Sequence, residues 1–257
     1  METEKIKIHG IPSIIWGSAS SKVYLYIHGQ GGYKEEAETF AKIACHNSWQ
    51  VLSIDLPAHG ERTVEKNCFD PWHTVPELIS VMEYAKSRWS QIALFANSIG
   101  AWFSMLSFAN EKIEKSLFVS PVLDMKQLIL KMMHWANVSE EQLERELIIP
   151  TSFEQTLSWK YLLYAKKHPI TKWEIPTKVL YGEHDKLTDY NVVEKFTQNF
   201  GCNLTVMENG EHWFHTQEQL NVLNDWVKSS LDIQEIGTKS QQDLKLQQKK
   251  KAKYRER

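Results

Sequence analysis

Short apolar runs recur along this chain, each ending in a turn and most followed by a segment of helical spacing. The runs at 23–27, 51–54, 92–96, 116–119, 177–181 and 203–207 are only four or five residues long. Helical patterns fill 35–47, 75–89, 99–109, 190–200 and 217–230, and in the first of them Ala37, Phe40, Ala41 and Ala44 share one face. Strands with so few polar positions are expected to be buried on both faces, and helical crossovers between them impose parallel pairing. The pattern therefore predicts an α/β fold: a mostly parallel central sheet flanked by helices. Residues 5–10 and 11–16 read as a hairpin that adds antiparallel strands at one edge. Pro76 suits the first turn of the helix expected at 75–89. At 257 residues without a solenoid repeat, the chain has the size of one large α/β domain.

One stretch breaks the alternation. Residues 124–173 offer helical patterns at 126–136, 139–147 and 153–168, separated by Pro150 and Pro169, and no strand candidate. This reads as a helical cap or lid inserted over the strand ends of a core formed by 1–123 and 174–235, or as an ordinary packing elaboration. From 236 onward the sequence is rich in Gln and Lys. Between Lys239 and Arg257, eight Lys or Arg face only Asp243 and Glu256. That segment is expected to be a disordered basic tail of local charge +6 on a body of −8, within an overall charge of −2. So small a total gives no field for nucleic acid.

The charged start Met1-Glu2-Thr3-Glu4-Lys5 is followed by no apolar signal region, and no run reaches the ~18 residues that span a bilayer. Cys45, Cys68 and Cys202 are odd in number and lack metal-ligand spacing. A soluble protein of the reducing cytoplasm is expected, without stable membrane insertion and without disulfides.

Chemistry concentrates at Leu94-Phe95-Ala96-Asn97-Ser98-Ile99-Gly100-Ala101, where a strand should end and a helix begin. A serine at such a turn is held in a strained conformation that lifts its hydroxyl clear of the sheet, and small residues on either side let strand and helix approach. The hydroxyl needs a base, which His212 in Gly210-Glu211-His212 supplies from a loop after the last strand. Asp185, at the end of Gly182-Glu183-His184-Asp185, can orient the imidazole. The oxyanion would be held by the N–H of Ile99, at a helix N-terminus, and that of Gln30 in His28-Gly29-Gln30-Gly31-Gly32.

These motifs, with Asp55-Leu56-Pro57-Ala58-His59-Gly60, resemble the α/β-hydrolase superfamily over residues 22–228, in particular its small lidded esterase and lysophospholipase-like branch. The resemblance implies an eight-stranded sheet, an insertion after the sixth strand, and acyl transfer. Ala96 and Ala58 each stand where the family commonly has glycine, which bears on strand–helix packing rather than on a catalytic group.

Rivals exist at each position. His215 and His184 compete with His212, and Asp189 and Glu183 compete with Asp185. His28 and His59 are expected to brace their loops, and Asp55 to bond nearby backbone N–H groups. A metal held by these three lacks convincing ligand spacing. Met132, Met133, Trp135, Trp159, Tyr161 and Tyr164 in the inserted segment suit either a core or an apolar cleft. The expected function is a serine hydrolase of carboxylic esters or thioesters, acting on a small acyl ester with no cofactor. Amide or C–C bond hydrolysis on the same triad, or a binding protein on this scaffold, are the alternatives. Oligomeric state is not legible.

Overall fold

A computed structural model describes residues 1–65, 68–153 and 155–231. The strands are β1 (Thr3–Ile8), β2 (Ile11–Trp16), β3 (Lys22–Ile27), β4 (Gln50–Ile54), β5 (Gln91–Asn97), β6 (Ser116–Val119), β7 (Ile148–Pro150), β8 (Thr156–Ser158), β9 (Thr177–Gly182) and β10 (Asn203–Met207). The α-helices are α1 (Ala37–His46), α2 (Pro71–Arg88), α3 (Ile99–Phe108), α4 (Met125–Trp135), α5 (Glu140–Glu146), α6 (Trp159–Lys167), α7 (Tyr190–Asn199) and α8 (Gln217–Leu231).

Eight strands join in the order β1-β2-β4-β3-β5-β6-β9-β10. β1 and β2 form the expected hairpin, β2 also runs antiparallel to β4, and every other pairing in the sheet is parallel. Strand alternation sorts the side chains into two cores. Leu25, Ile27, Leu94, Ala96, Phe118 and Val179 face α2 and α3. Tyr24, Tyr26, Phe95, Leu117 and Leu180 face α1 and α8. Both faces are covered, as near-continuous apolar strands require.

The structure corrects the sequence reading in three places. The helix expected at 75–89 starts earlier, at Pro71, because Asp70 caps it by accepting from the His73 N–H at 2.9 Å. Pro76 therefore lies inside α2 rather than in its first turn. Second, the 124–173 segment contains a small hairpin, β7 and β8, where no strand was expected. Third, the helix expected from 153 begins only at Trp159, where the Ser158 side chain accepts from Tyr161 N–H and caps it.

The segment between β6 and β9 is firmly seated. Met125, Ile129, Met133, Leu143, Leu157, Leu162 and Ala165 are all buried in the core shared with Trp102 and Phe103. Met133 is thus core, Met132, Trp159, Tyr161 and Tyr164 pack against it, and Trp135 is exposed. The basic tail read at 236–257 lies outside the described residues. No helix among the described residues is long and apolar enough to cross a membrane.

Candidate active site

β5 ends at Asn97 and α3 begins at Ile99, so Ser98 alone makes the turn between them, at φ 48° and ψ −121°. An L-residue held at positive φ outside a relaxed turn stores on the order of 1–3 kcal/mol, which the surroundings must sustain. Here they do. Ser98 N–H donates to Val119 O and Ser98 O accepts from Val122 N–H, both at 3.0 Å, tying the elbow to the end of β6. Gly100 is required for close approach, since a Cβ there would lie 2.4 Å from His28 O and 2.8 Å from Ile27 O. Ala96, by contrast, is wholly buried in the core, its methyl filling space on the α3 side of the sheet. Ala58 sits at φ 66°, so the missing glycine there is felt as backbone strain rather than as altered strand–helix packing.

Three side chains converge at this turn. Ser98 Oγ lies 2.7 Å from His212 Nε2, and His212 Nδ1 lies 2.7 Å from Asp185 Oδ2. The Asp185 side chain is fully buried, whereas the His212 ring keeps 17% of its surface exposed. Asp185 Oδ1 accepts from the N–H groups of Leu187, at 2.8 Å, and Thr188, at 3.0 Å, which fixes the carboxylate for the imidazole. The rivals lie elsewhere. His184 is exposed, and His215 Nδ1 lies 3.0 Å from Trp213 O. Asp189 pairs with Lys131, and Glu183 accepts from Asn209 N–H.

The glycine loop after β3 reaches the same point: a Cβ on Gly29 would stand 3.1 Å from Ser98 Cβ. Ile99, the first residue of α3, presents an N–H that has no acceptor within the helix. Gln30 is exposed, and its Nε2 donates to Gln155 Oε1 at 3.1 Å, joining the glycine loop to the β7–β8 connection. Sequence reasoning missed Gln155; nothing in its neighbourhood marks it before the hairpin is seen.

Two histidines shape that loop. His28 Nδ1 bonds Gly29 O at 2.7 Å, while His28 Nε2 accepts from Leu56 N–H at 3.0 Å. This assignment fixes the neutral tautomer, and burial pushes the ring pKa down to about 4. His59 Nε2 accepts from Gly31 N–H at 2.9 Å, with Nδ1 on Pro57 O at 2.8 Å. Beneath them the fully buried Asp55 carboxylate meets Lys34 Nζ at 2.8 Å and accepts from the N–H groups of Lys34 and Glu61. The polar atoms once considered for a metal are therefore engaged with the loop they support. The three cysteines are free thiols, and burial raises that of Cys202 to about 11, far from the thiolate a nucleophile needs.

A mostly parallel sheet of this strand order, with an antiparallel pair at one edge and helices on both faces, is the fold of the α/β-hydrolases, and this chain has it. Est1E from Butyrivibrio proteoclasticus with bound ferulic acid superposes with a TM-score of 0.70 at 18% identity, over 89% of this chain and 97% of that one. A soluble variant of monoglyceride lipase from Saccharomyces cerevisiae, in complex with a substrate analog, gives 0.64 at 14% identity over 90% and 94%. An esterase from Pyrococcus furiosus gives 0.63 at 16% over 90% and 87%. No protein-family model and no curated protein sequence matches the chain.

Proposed function

We propose that the protein is a serine hydrolase of carboxylic esters, with Ser98 as nucleophile, His212 as general base and acid, and Asp185 as the group that orients the imidazole. One observation carries the reading: two successive 2.7 Å contacts run from a strained, elbow-borne hydroxyl to a buried carboxylate. A hydroxyl at that spacing loses its proton to Nε2 as it attacks, and Asp185 stabilises the resulting imidazolium.

Ser98 Oγ adds to the ester carbonyl carbon while His212 takes its proton. The oxyanion is held by the N–H groups of Ile99 and Gln30, each worth on the order of a hundredfold in rate. Collapse expels the alcohol, which leaves with the proton from His212. Water, deprotonated by the same nitrogen, then cleaves the acyl-enzyme and releases the carboxylate. The proposed lid is residues 124–173, whose β7–β8 connection touches the oxyanion loop through Gln155 and Gln30. Two of these neighbours, a monoglyceride lipase and an esterase, are named for ester cleavage, which favours esters over amides.

The test is labelling with a fluorophosphonate, read by peptide mass spectrometry on wild type and Ser98→Ala. An adduct on Ser98 that disappears in a folded Ser98→Ala protein is the expected result. A folded wild type that stays unlabelled, or a Ser98→Ala variant that still hydrolyses esters, would overturn the assignment.

A further inference from the structure

At the opposite end of the strands from Ser98, three lysines stand together with no carboxylate paired to them among the described residues. Lys22 opens β3, Lys115 immediately precedes β6, and Lys178 is the second residue of β9. The parity of each strand puts them on one face, since Tyr24, Leu117 and Leu180, two residues after each, all belong to the core beneath α1 and α8. Register brings them close: β3 and β6 flank β5, and Lys178 pairs with Leu117, two residues beyond Lys115.

Side-chain contacts converge as well. The Lys22 and Lys115 ammonium groups each lie 5.7 Å from the centre of the Trp49 ring, and that of Lys115 also lies 5.9 Å from the Tyr24 ring. Trp49 and Tyr24 are buried, and the Tyr24 hydroxyl has no hydrogen-bond partner. The lysines themselves are half-buried. Elsewhere the half-buried and buried ammonium groups of Lys34, Lys131 and Lys166 meet carboxylates. These three meet none among the described residues.

Such a cluster is unfavourable as it stands. Burial, with repulsion from Lys178 and Lys22, pushes the Lys115 ammonium below the ordinary lysine range, and burial does the same to Lys178. Aromatic faces return only part of the lost hydration, and only to Lys22 and Lys115. An anion with several peripheral oxygens would relieve repulsion and desolvation together, because each ammonium offers three rotatable donors on a flexible stem. A phosphate dianion has that charge and that number of oxygens.

We propose that Lys22, Lys115 and Lys178 form a binding site for a phosphate group at the amino-terminal end of the strands, remote from the serine site. The site stands apart from the ester-hydrolase reading, since it uses none of the residues assigned there. The phosphate belongs either to a soluble compound or to a lipid headgroup, and two arms of one experiment separate the sources.

Isothermal titration with inorganic phosphate and pyrophosphate tests the soluble source. Co-sedimentation with phosphatidylcholine vesicles, with and without phosphatidate, tests the headgroup. Wild type should bind in at least one arm, and Lys115→Gln and Lys178→Gln should each weaken that binding by about tenfold or more. Lys115→Arg, which keeps the charge, and Lys42→Gln, an exposed lysine paired with Glu38, should bind like wild type. Circular dichroism establishes that each variant is folded, and having two separate Gln variants guards against the loss of one. Absence of binding in both arms, or folded Gln variants that bind like wild type, would overturn the site.

Discussion

Gly182 and Gly210 meet backbone to backbone, so that a Cβ on Gly182 would lie 2.6 Å from Gly210 O and 2.3 Å from Glu211 O. That contact joins the loop carrying Asp185 to the loop carrying His212. His184 N–H donates to Gly210 O at 2.7 Å, and Glu183 N–H donates to Met207 O at 3.0 Å, so the two loops are laced together just where the carboxylate must reach the imidazole.

Gly182→Ala must therefore part the loops, since both obstructing atoms are backbone. A displacement of about 1 Å at such a constellation lowers turnover by on the order of a hundredfold. Steady-state kinetics on a short p-nitrophenyl ester should show kcat falling by that order with KM little changed. Thermal melting should show a folded protein of reduced Tm. An unchanged kcat would mean that the loops tolerate separation and that the glycine contact does not set the Asp185–His212 geometry.

Ser98 offers a separate test of function against stability. Its φ of 48° is strained for an L-residue and free for glycine. Ser98→Gly should abolish turnover while raising stability by about 1 kcal/mol, the strain released less the added chain entropy of glycine. For a domain of this size that corresponds to a rise in Tm of roughly 2–4 °C. An inactive variant that melts below wild type would show that the hydroxyl, not the chemistry, is what the elbow needs.

How much of this was legible beforehand follows from what each feature depends on. Ser98, Asp185 and His212 could be proposed from the sequence because strand ends, turns and their order are local properties: Ser98 follows β5 directly, Asp185 lies three residues past β9 and His212 five past β10. His28 and His59 were read correctly as braces because their loops are glycine-rich and need support. The β7–β8 hairpin was missed because three-residue strands leave no period to detect, and Pro150 ended the preceding pattern without showing what followed. The start of α2 was missed although Asp70-Pro71 is a legible cap and first-turn pair, because Pro76 offered a second proline suited to a first turn closer to the apolar run. The lysine cluster was invisible for a different reason: strand register, set by long-range pairing, is what gathers residues 22, 115 and 178.

His28 gives the stability a pH dependence with a definite sign. Its folded pKa, about 4, lies below the ordinary value of 6.5. Between those values the unfolded chain binds the proton and the folded one does not, so stability falls as pH drops from about 6.5 toward 4 and is fully present above that window. The shift corresponds to a loss on the order of 3 kcal/mol. Urea unfolding at a series of pH values should show wild type losing more stability across the window than His28→Gln does. Equal losses would mean that the ring is protonated in the folded state without penalty, and that its bonds to Gly29 and Leu56 are dispensable.

The β7–β8 connection meets the glycine loop through a side-chain bond from Gln30 to Gln155, the one such bond between them among the described residues, and it lies toward solvent. An exposed neutral bond contributes about 0.5–1.5 kcal/mol, enough to bias a hairpin between seated and lifted positions without holding it permanently. Leu157, on the same hairpin, is buried at 1% exposure, so loss of the bond should loosen the β7–β8 connection without undocking α4 or α6. Gln155→Ala should therefore raise amide exchange in residues 148–158 by up to about tenfold while leaving β5 and β6 protected. The KM for bulky esters should shift and that for short ones should stay. If exchange in the hairpin is unchanged, the segment is held by its apolar contacts alone, and the proposal that it acts as a lid loses its latch.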